Sequence, residues 1–230
     1  NLTWKIKPPD HTGLEPYLSN DSQRVEVPQG SEVEIVIQAE PLINRALIQT
    51  QTGVTLFPTI HEDKRTASIS LTVKDSFSFQ IVLLGRFNLV FESESIHVDA
   101  LPDQSPRVKF QLPGLMTDVP ETEIVDLRLE GRDDYGLSEM EFVYEMNYGG
   151  DTYRHSIPLS LQESATGEVD WQIVEQNEEG RLETVIHEGE WDLSTLGLLP
   201  GDEVSYWAVA WDNDPSGRKK SKSEVQFLRF

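Results

Sequence analysis

The 230-residue chain contains no cysteine. That excludes a disulfide scaffold, a Cys-ligated zinc site and a cysteine nucleophile, and leaves the compartment open. Basic residues are scarce: 19 Lys+Arg stand against 40 Asp+Glu, a formal net charge of -21 with the five histidines neutral. Nucleic-acid binding needs a basic footprint to replace phosphate counterions, so no nucleic-acid partner is expected. The same acid excess disfavours docking on anionic lipid. Long apolar stretches are missing too. The run Ile81-Val82-Leu83-Leu84 falls far short of the ~20 residues a spanning helix needs. The start, Asn1-Leu2-Thr3-Trp4-Lys5, reads as a strand and not as a signal peptide. The expectation is therefore a piece cut from a longer protein. Signatures of catalysis are absent as well: there is no Gly-x-Ser-x-Gly elbow, P-loop or dinucleotide fingerprint. His11, His61, His97, His155 and His187 are scattered without His-x-x-x-His spacing. Carboxylates are so many that a glycosidase-like pair is not excluded by counting, and an enzyme stands third among the readings.

What the chain does contain is the two-residue period of half-buried strands. Val25 and Val27, then Val33, Ile35, Ile37 and Ala39, alternate with polar residues. The period returns at Ile69, Leu71 and Val73, at Phe77, Phe79, Ile81 and Leu83, and at Leu89 and Phe91. Farther on, Leu127 and Leu129, then Met140, Phe142, Tyr144 and Met146, form further stripes. Val204, Tyr206, Ala208 and Ala210, followed by Val225 and Phe227, complete the set. Turns such as Pro28-Gln29-Gly30, Gln51-Thr52-Gly53 and Tyr148-Gly149-Gly150 separate them. Many short strands at such spacing predict all-β sandwiches. Helical signal is confined to Leu42–Leu47, where the following β-branched residues favour a strand, and to one turn in 194–199. Residues 160–183, polar and Glu-rich, read as a long loop or a ragged edge hairpin.

Leu101-Pro102-Asp103-Gln104-Ser105-Pro106 carries two prolines within five residues and reads as a short stiff linker. It divides the chain into residues 1–103 and 104–230. The first half holds 14 acids and 8 bases, the second 26 and 11, so the acidity belongs mainly to the second half. The prediction is two tandem immunoglobulin/fibronectin type III-like β-sandwiches.

The most specific pattern is Leu198-Leu199-Pro200-Gly201-Asp202-Glu203-Val204-Ser205-Tyr206-Trp207-Ala208-Val209-Ala210-Trp211. It resembles the corner and penultimate strand of fibronectin type III domains. That resemblance implies a structural turn at Pro200 and Gly201, with Tyr206 as a corner tyrosine whose hydroxyl bonds backbone upstream. Asp133-Asp134-Tyr135-Gly136-Leu137, Trp191-Asp192-Leu193, Pro200-Gly201-Asp202 and Trp211-Asp212-Asn213-Asp214 are similar to a set found in large uncharacterised bacterial envelope proteins, a domain-of-unknown-function class. Those carry membrane helices, tandem immunoglobulin-like domains and a long charged helical region. Pro8-Pro9-Asp10-His11-Thr12-Gly13 echoes their Pro-Pro-x-Tyr-Thr-Gly, with His11 where Tyr is usual. The resemblance implies an extracytoplasmic location (periplasm or cell envelope) and carries no activity.

In such a sandwich the loops at Arg132–Gly136 and Asp212–Lys220 share one end with the incoming linker. Asp103, Asp133, Asp134, Asp212, Asn213 and Asp214 are thus a candidate calcium set, since calcium takes six to eight oxygen ligands from such clusters. The alternative is that they only tie Asx turns. Calcium is the one cofactor in view. Arg218, Lys219 and Lys220, with Lys222, form the single cationic run: either a docking patch or a solvated hairpin tip. Trp207 and Trp211 would share a sheet face opposite Tyr206, Ala208 and Ala210, where exposed rings stack sugars and covered rings only pack. The expected function is a non-catalytic structural or protein-interaction module, with a carbohydrate- or cell-wall-binding module as runner-up.

Overall fold

The computed structural model describes residues 1–148, 151–163, 167, 169–176 and 182–230. The glycines of the expected Tyr148-Gly149-Gly150 turn and part of the 160–183 segment lie outside the described residues. The chain divides into two compact units, Asn1–Asp103 and Gln104–Phe230. The first unit contains β1 (Leu2–Lys7), β2 (Tyr17–Ser19), β3 (Arg24–Pro28), β4 (Glu32–Gln38), β5 (Ile43–Thr50), β6 (Thr55–Leu56), β7 (Thr59–Ile60), β8 (Thr66–Thr72), β9 (Phe77–Gly85), β10 (Val90–Glu92) and β11 (Ile96–Leu101). The second contains β12 (Arg107–Leu112), β13 (Met116–Asp118), β14 (Ile124–Arg132), β15 (Leu137–Tyr148), β16 (Asp151–Leu159), β17 (Val169–Gln176), β18 (Thr184–Asp192), β19 (Glu203–Asp212), β20 (Lys220–Lys222) and β21 (Gln226–Arg229). Among the described residues helix is limited to short 3₁₀ turns at Asp10–Thr12, Arg86–Asn88 and Leu193–Leu196. Among the described residues no helix is long and apolar enough to cross a membrane.

The same wiring occurs twice. In the first unit one sheet has the order β2-β1-β4-β8-β7 and the other β3-β11-β9-β5-β6, with β10 on β9. In the second the sheets are β12-β14-β18-β17 and β13-β21-β19-β15-β16, with β20 on β19. Lettered in chain order, each unit sets strands A, B, E and D against G, F and C, the immunoglobulin arrangement with an added C′ edge. In both, a short strand split from A crosses to the second sheet and runs parallel to G: β3 along β11 and β13 along β21.

Side-chain alternation explains the two cores. Leu2, Trp4 and Ile6 of β1 and Val33, Ile35 and Ile37 of β4 are buried against Ile48, Phe79 and Ile81 of the facing sheet. Each such side chain contributes ~1.5–3 kcal/mol on burial, which is why the period holds along these strands. In the second unit Phe142, Tyr144, Trp171, Trp191 and Tyr206 gather into one aromatic cluster, with ring centroids of Trp191 lying 5.1 Å from Phe142 and 5.0 Å from Tyr144. One expectation changes here. The Leu89/Phe91 stripe does not face a core: both residues are exposed, because β10 continues the β9 hairpin beyond the edge where β11 pairs. Of the two readings of the 160–183 segment, its described part takes the edge hairpin: β17 lies at the sheet edge, antiparallel to β18 with a register shift between Ile173 and Glu175, and buries Trp171. Gly189 makes that possible, since a Cβ there would sit 2.8 Å from Trp171 Cε3.

Candidate functional site

The loops joining β14 to β15 and β19 to β20 lie together in the second sandwich, tied by the Asn213 Nδ2 group donating to Tyr135 O at 2.9 Å. Asp133 is buried, and its Oδ2 accepts the Tyr135 and Gly136 N–H groups at 3.1 and 2.8 Å. Gly136 has φ +119°, a conformation that L side chains rarely adopt. Asp134 Oδ2 accepts the Gln104 N–H at 3.3 Å. Asp212 is fully buried; its Oδ1 accepts the Lys219 N–H at 2.9 Å and its Oδ2 lies 3.1 Å from Lys219 Nζ. Asp214 Oδ1 takes the Ser216 N–H and hydroxyl at 2.8 and 2.7 Å, while its Oδ2 lies 3.7 Å from the same Lys219 ammonium. Asp212 and Asp214 therefore share one lysine of the hairpin itself; Asp133 Oδ2 and Asp214 Oδ1 close Asx turns, while Asp212 Oδ1 and Asp134 Oδ2 accept backbone N–H groups farther away in the chain. Asp103 belongs to the first unit, where its Oδ2 lies 3.7 Å from His11 Nε2.

The cationic run is divided among several partners. Arg218 pairs with Glu139 at 2.9 Å, donates to Ser138 Oγ at 3.1 Å and lies over the Trp211 ring at 5.5 Å. Lys219 turns inward to Asp212, and Lys220 is exposed on β20. Trp207 is buried, with Lys222 Nζ 3.8 Å and the Arg154 guanidinium 5.1 Å from its ring centroid. Such cation–π contacts stabilise by about 0.5–2 kcal/mol and occupy the faces a sugar would stack on.

Tyr206 departs from the corner role. It is buried among Phe110, Phe142 and Trp191, and its hydroxyl has no hydrogen-bond partner among the described residues. Burial raises its pKa. Its position inside β19 places the ring in the core cluster. The turn is held by other groups. Gly201 has φ +98° and donates its N–H to Phe230 O, Leu199 donates to Asp202 Oδ2 at 2.7 Å, and Phe230 N–H donates to Asp202 O. The sequence offered Asp202 in the turn motif; the role of Phe230, 28 residues downstream, had no local signal.

A cleft of about 680 Å³ opens in the second unit, lined by Tyr144, His155, Asp170, Glu190 and Asp192. Tyr144 and His155 stack there at 4.8 Å. Asp192 accepts the Ser194 hydroxyl and N–H, which hold its carboxyl below the ordinary range, unsuited to a general acid. Asp170 Oδ1 accepts the Gly167 N–H at 3.3 Å.

His187 carries the second unit's clearest pH dependence. It is buried, donates from Nε2 to Ser160 O at 2.7 Å, and its Nδ1 has no partner among the described residues. Burial lowers its pKa below the ordinary histidine value. The unfolded chain therefore binds a proton that the folded one resists. Stability is full above an unfolded pKa of about 6.5 and falls as pH drops toward the folded value. We expect the second unit's melting temperature to fall between about pH 7 and pH 5. His187→Gln should remove this component from the slope, and an unchanged slope in that variant would contradict the assignment.

Two β-sandwiches of immunoglobulin/fibronectin type III-like wiring define the class of this protein. The family follows: residues 3–175 match the model described as "Domain of unknown function (DUF4175)", and the chain belongs to that family. No curated protein matches it. Among solved structures it is similar to the fibronectin(III)-like modules of Clostridium thermocellum CbhA, at 13% identity over 90% of this chain and 88% of that one, with a TM-score of 0.28. It is also similar to Rst D1-D2, at 9% identity over 90% of this chain and 95% of that one, with a TM-score of 0.33.

Proposed function

We propose that the chain is a non-catalytic structural or protein-interaction module in the extracytoplasmic part of a larger bacterial envelope protein. The observation that carries this reading is the use of the loop acids: Asp212 and Asp214 hold Lys219, and Asp133 holds two backbone N–H groups. Groups committed to such bonds make rigid loops, which suits a spacer or a docking surface. In this reading Lys219 supplies the positive charge that calcium would otherwise bring. The burial of Trp207 beneath Arg154 and Lys222 weighs against the cell-wall-binding alternative. The cleft acids that would serve catalysis are partly engaged in turn and cap bonds.

The location is tested with alkaline phosphatase fused after Phe230 in the full-length protein. Strong phosphatase activity with a dark green-fluorescent-protein fusion at the same point is expected. A bright fluorescent fusion with inactive phosphatase would place the module in the cytoplasm.

A further inference from the structure

Among the first sandwich's exposed side chains, four large apolar ones crowd into one hairpin: Phe87 at 96% exposure, Leu89 at 64%, Val90 at 56% and Phe91 at 60%. Phe87 stands at the tip with φ 58° and ψ 31°, a left-handed conformation uncommon for an aromatic residue. A strained, fully exposed aromatic points to a surface used for contact. Beside it runs a groove of about 1150 Å³, whose walls include Pro41, Leu42, Leu84, Leu89 and Phe91.

We propose that this hairpin tip docks a second copy of the same chain, each Phe87 entering the groove of the other. A two-fold interface requires a patch that complements itself. Here a knob and a hole sit side by side on one hairpin. Charge complements as well. In a chain with 40 acids, the stretch from Ser76 to Phe91 has none, and its single charge is Arg86. The groove, in turn, is lined by Glu40 and Asp63 along with Arg65. Bonds from Thr66 and from the Arg65 and Thr66 N–H groups hold the Asp63 carboxyl at a pKa of about 2, so it is charged at neutral pH. Arg86 beside each inserted Phe87 thus meets the other copy's carboxylates. The four apolar side chains offer roughly 600 Å² per copy, about 1,200 Å² for the pair, the lower end of specific interfaces. That implies a weak dimer. A bilayer's acyl interior is the poorer occupant, because it offers no partner to the Glu40 and Asp63 carboxylates that line the groove, whereas a second copy brings Arg86. This inference concerns the first sandwich and stands apart from the reading of the second.

Sedimentation equilibrium over about 5–500 µM tests it. The expected mass rises from 26.1 kDa toward twice that value, within the range such areas support. Phe87→Ser should weaken association at least ~10-fold while leaving the melting temperature unchanged, because the side chain is in solvent. Arg86→Glu should weaken it as well, and adding Glu40→Arg should restore it. A constant monomer mass would overturn the proposal, as would a dimer indifferent to Phe87→Ser. Binding of a monomeric chain to phosphatidylcholine vesicles, lost in Phe87→Ser, would assign the patch to lipid and overturn it equally.

Discussion

Replacing Lys219 with Met is expected to destabilise the second sandwich by about 3 kcal/mol. Asp212 is fully buried, and Lys219 brings both its own N–H and its ammonium to that carboxylate. Removing the ammonium leaves a desolvated charge with Asp214 close by on the same loop, and breaking one side of a buried pair costs about 3–5 kcal/mol. The lower figure applies because the Lys219 side chain retains 31% exposure and is partly screened. For a unit of this size that corresponds to a fall of ~10 °C in melting temperature. Asp212→Asn in the Lys219→Met background should recover much of the loss, since the amide still accepts the residue 219 N–H without a buried charge. A Lys219→Met variant as stable as the parent would show that the pair is only a surface contact.

Trp191→Ala is the second large effect. The ring is fully buried and touches Phe142, Tyr144 and Tyr206. A truncation of this kind removes the transfer energy and opens a cavity, about 3–5 kcal/mol in all. Trp191→Phe should be far milder, under about 2 kcal/mol. The indole N–H has no hydrogen-bond partner among the described residues, so removing it offsets part of the lost volume. Differential scanning calorimetry separates the two cases. The first unit has its own core around Trp4 and Phe79, so its transition should remain. Equal losses for both substitutions would mean that the N–H makes a bond after all.

The all-β sandwich class was legible because alternation reports a half-buried strand wherever it runs long, as at Val33, Ile35 and Ile37 in β4. Alternation does not say which faces are covered. Leu89 and Phe91 share the period of Phe79 and Ile81, yet only the latter pair reaches a core. The Pro200-Gly201-Asp202 motif marked a corner, and its closure by Asp202 and Phe230 in place of the Tyr206 hydroxyl depends on a long-range contact. The same limit applies to Trp207, covered by Arg154 from β16, a strand 50 residues earlier in the chain. In the hairpin, acids and lysines were visible side by side. The sequence could not show that Lys219 turns inward while Lys220 stays in solvent.

In the proposed reading Lys219 serves Asp212 and Asp214 in place of a metal ion. Calorimetry of the wild-type chain in EDTA and in about 5 mM calcium checks this. A site with ligand at about 100 times its dissociation constant would add ~2.7 kcal/mol, a rise of many degrees. Superimposable thermograms are expected. A calcium-dependent rise of several degrees in the second unit's transition, absent in Asp212→Asn, would contradict it.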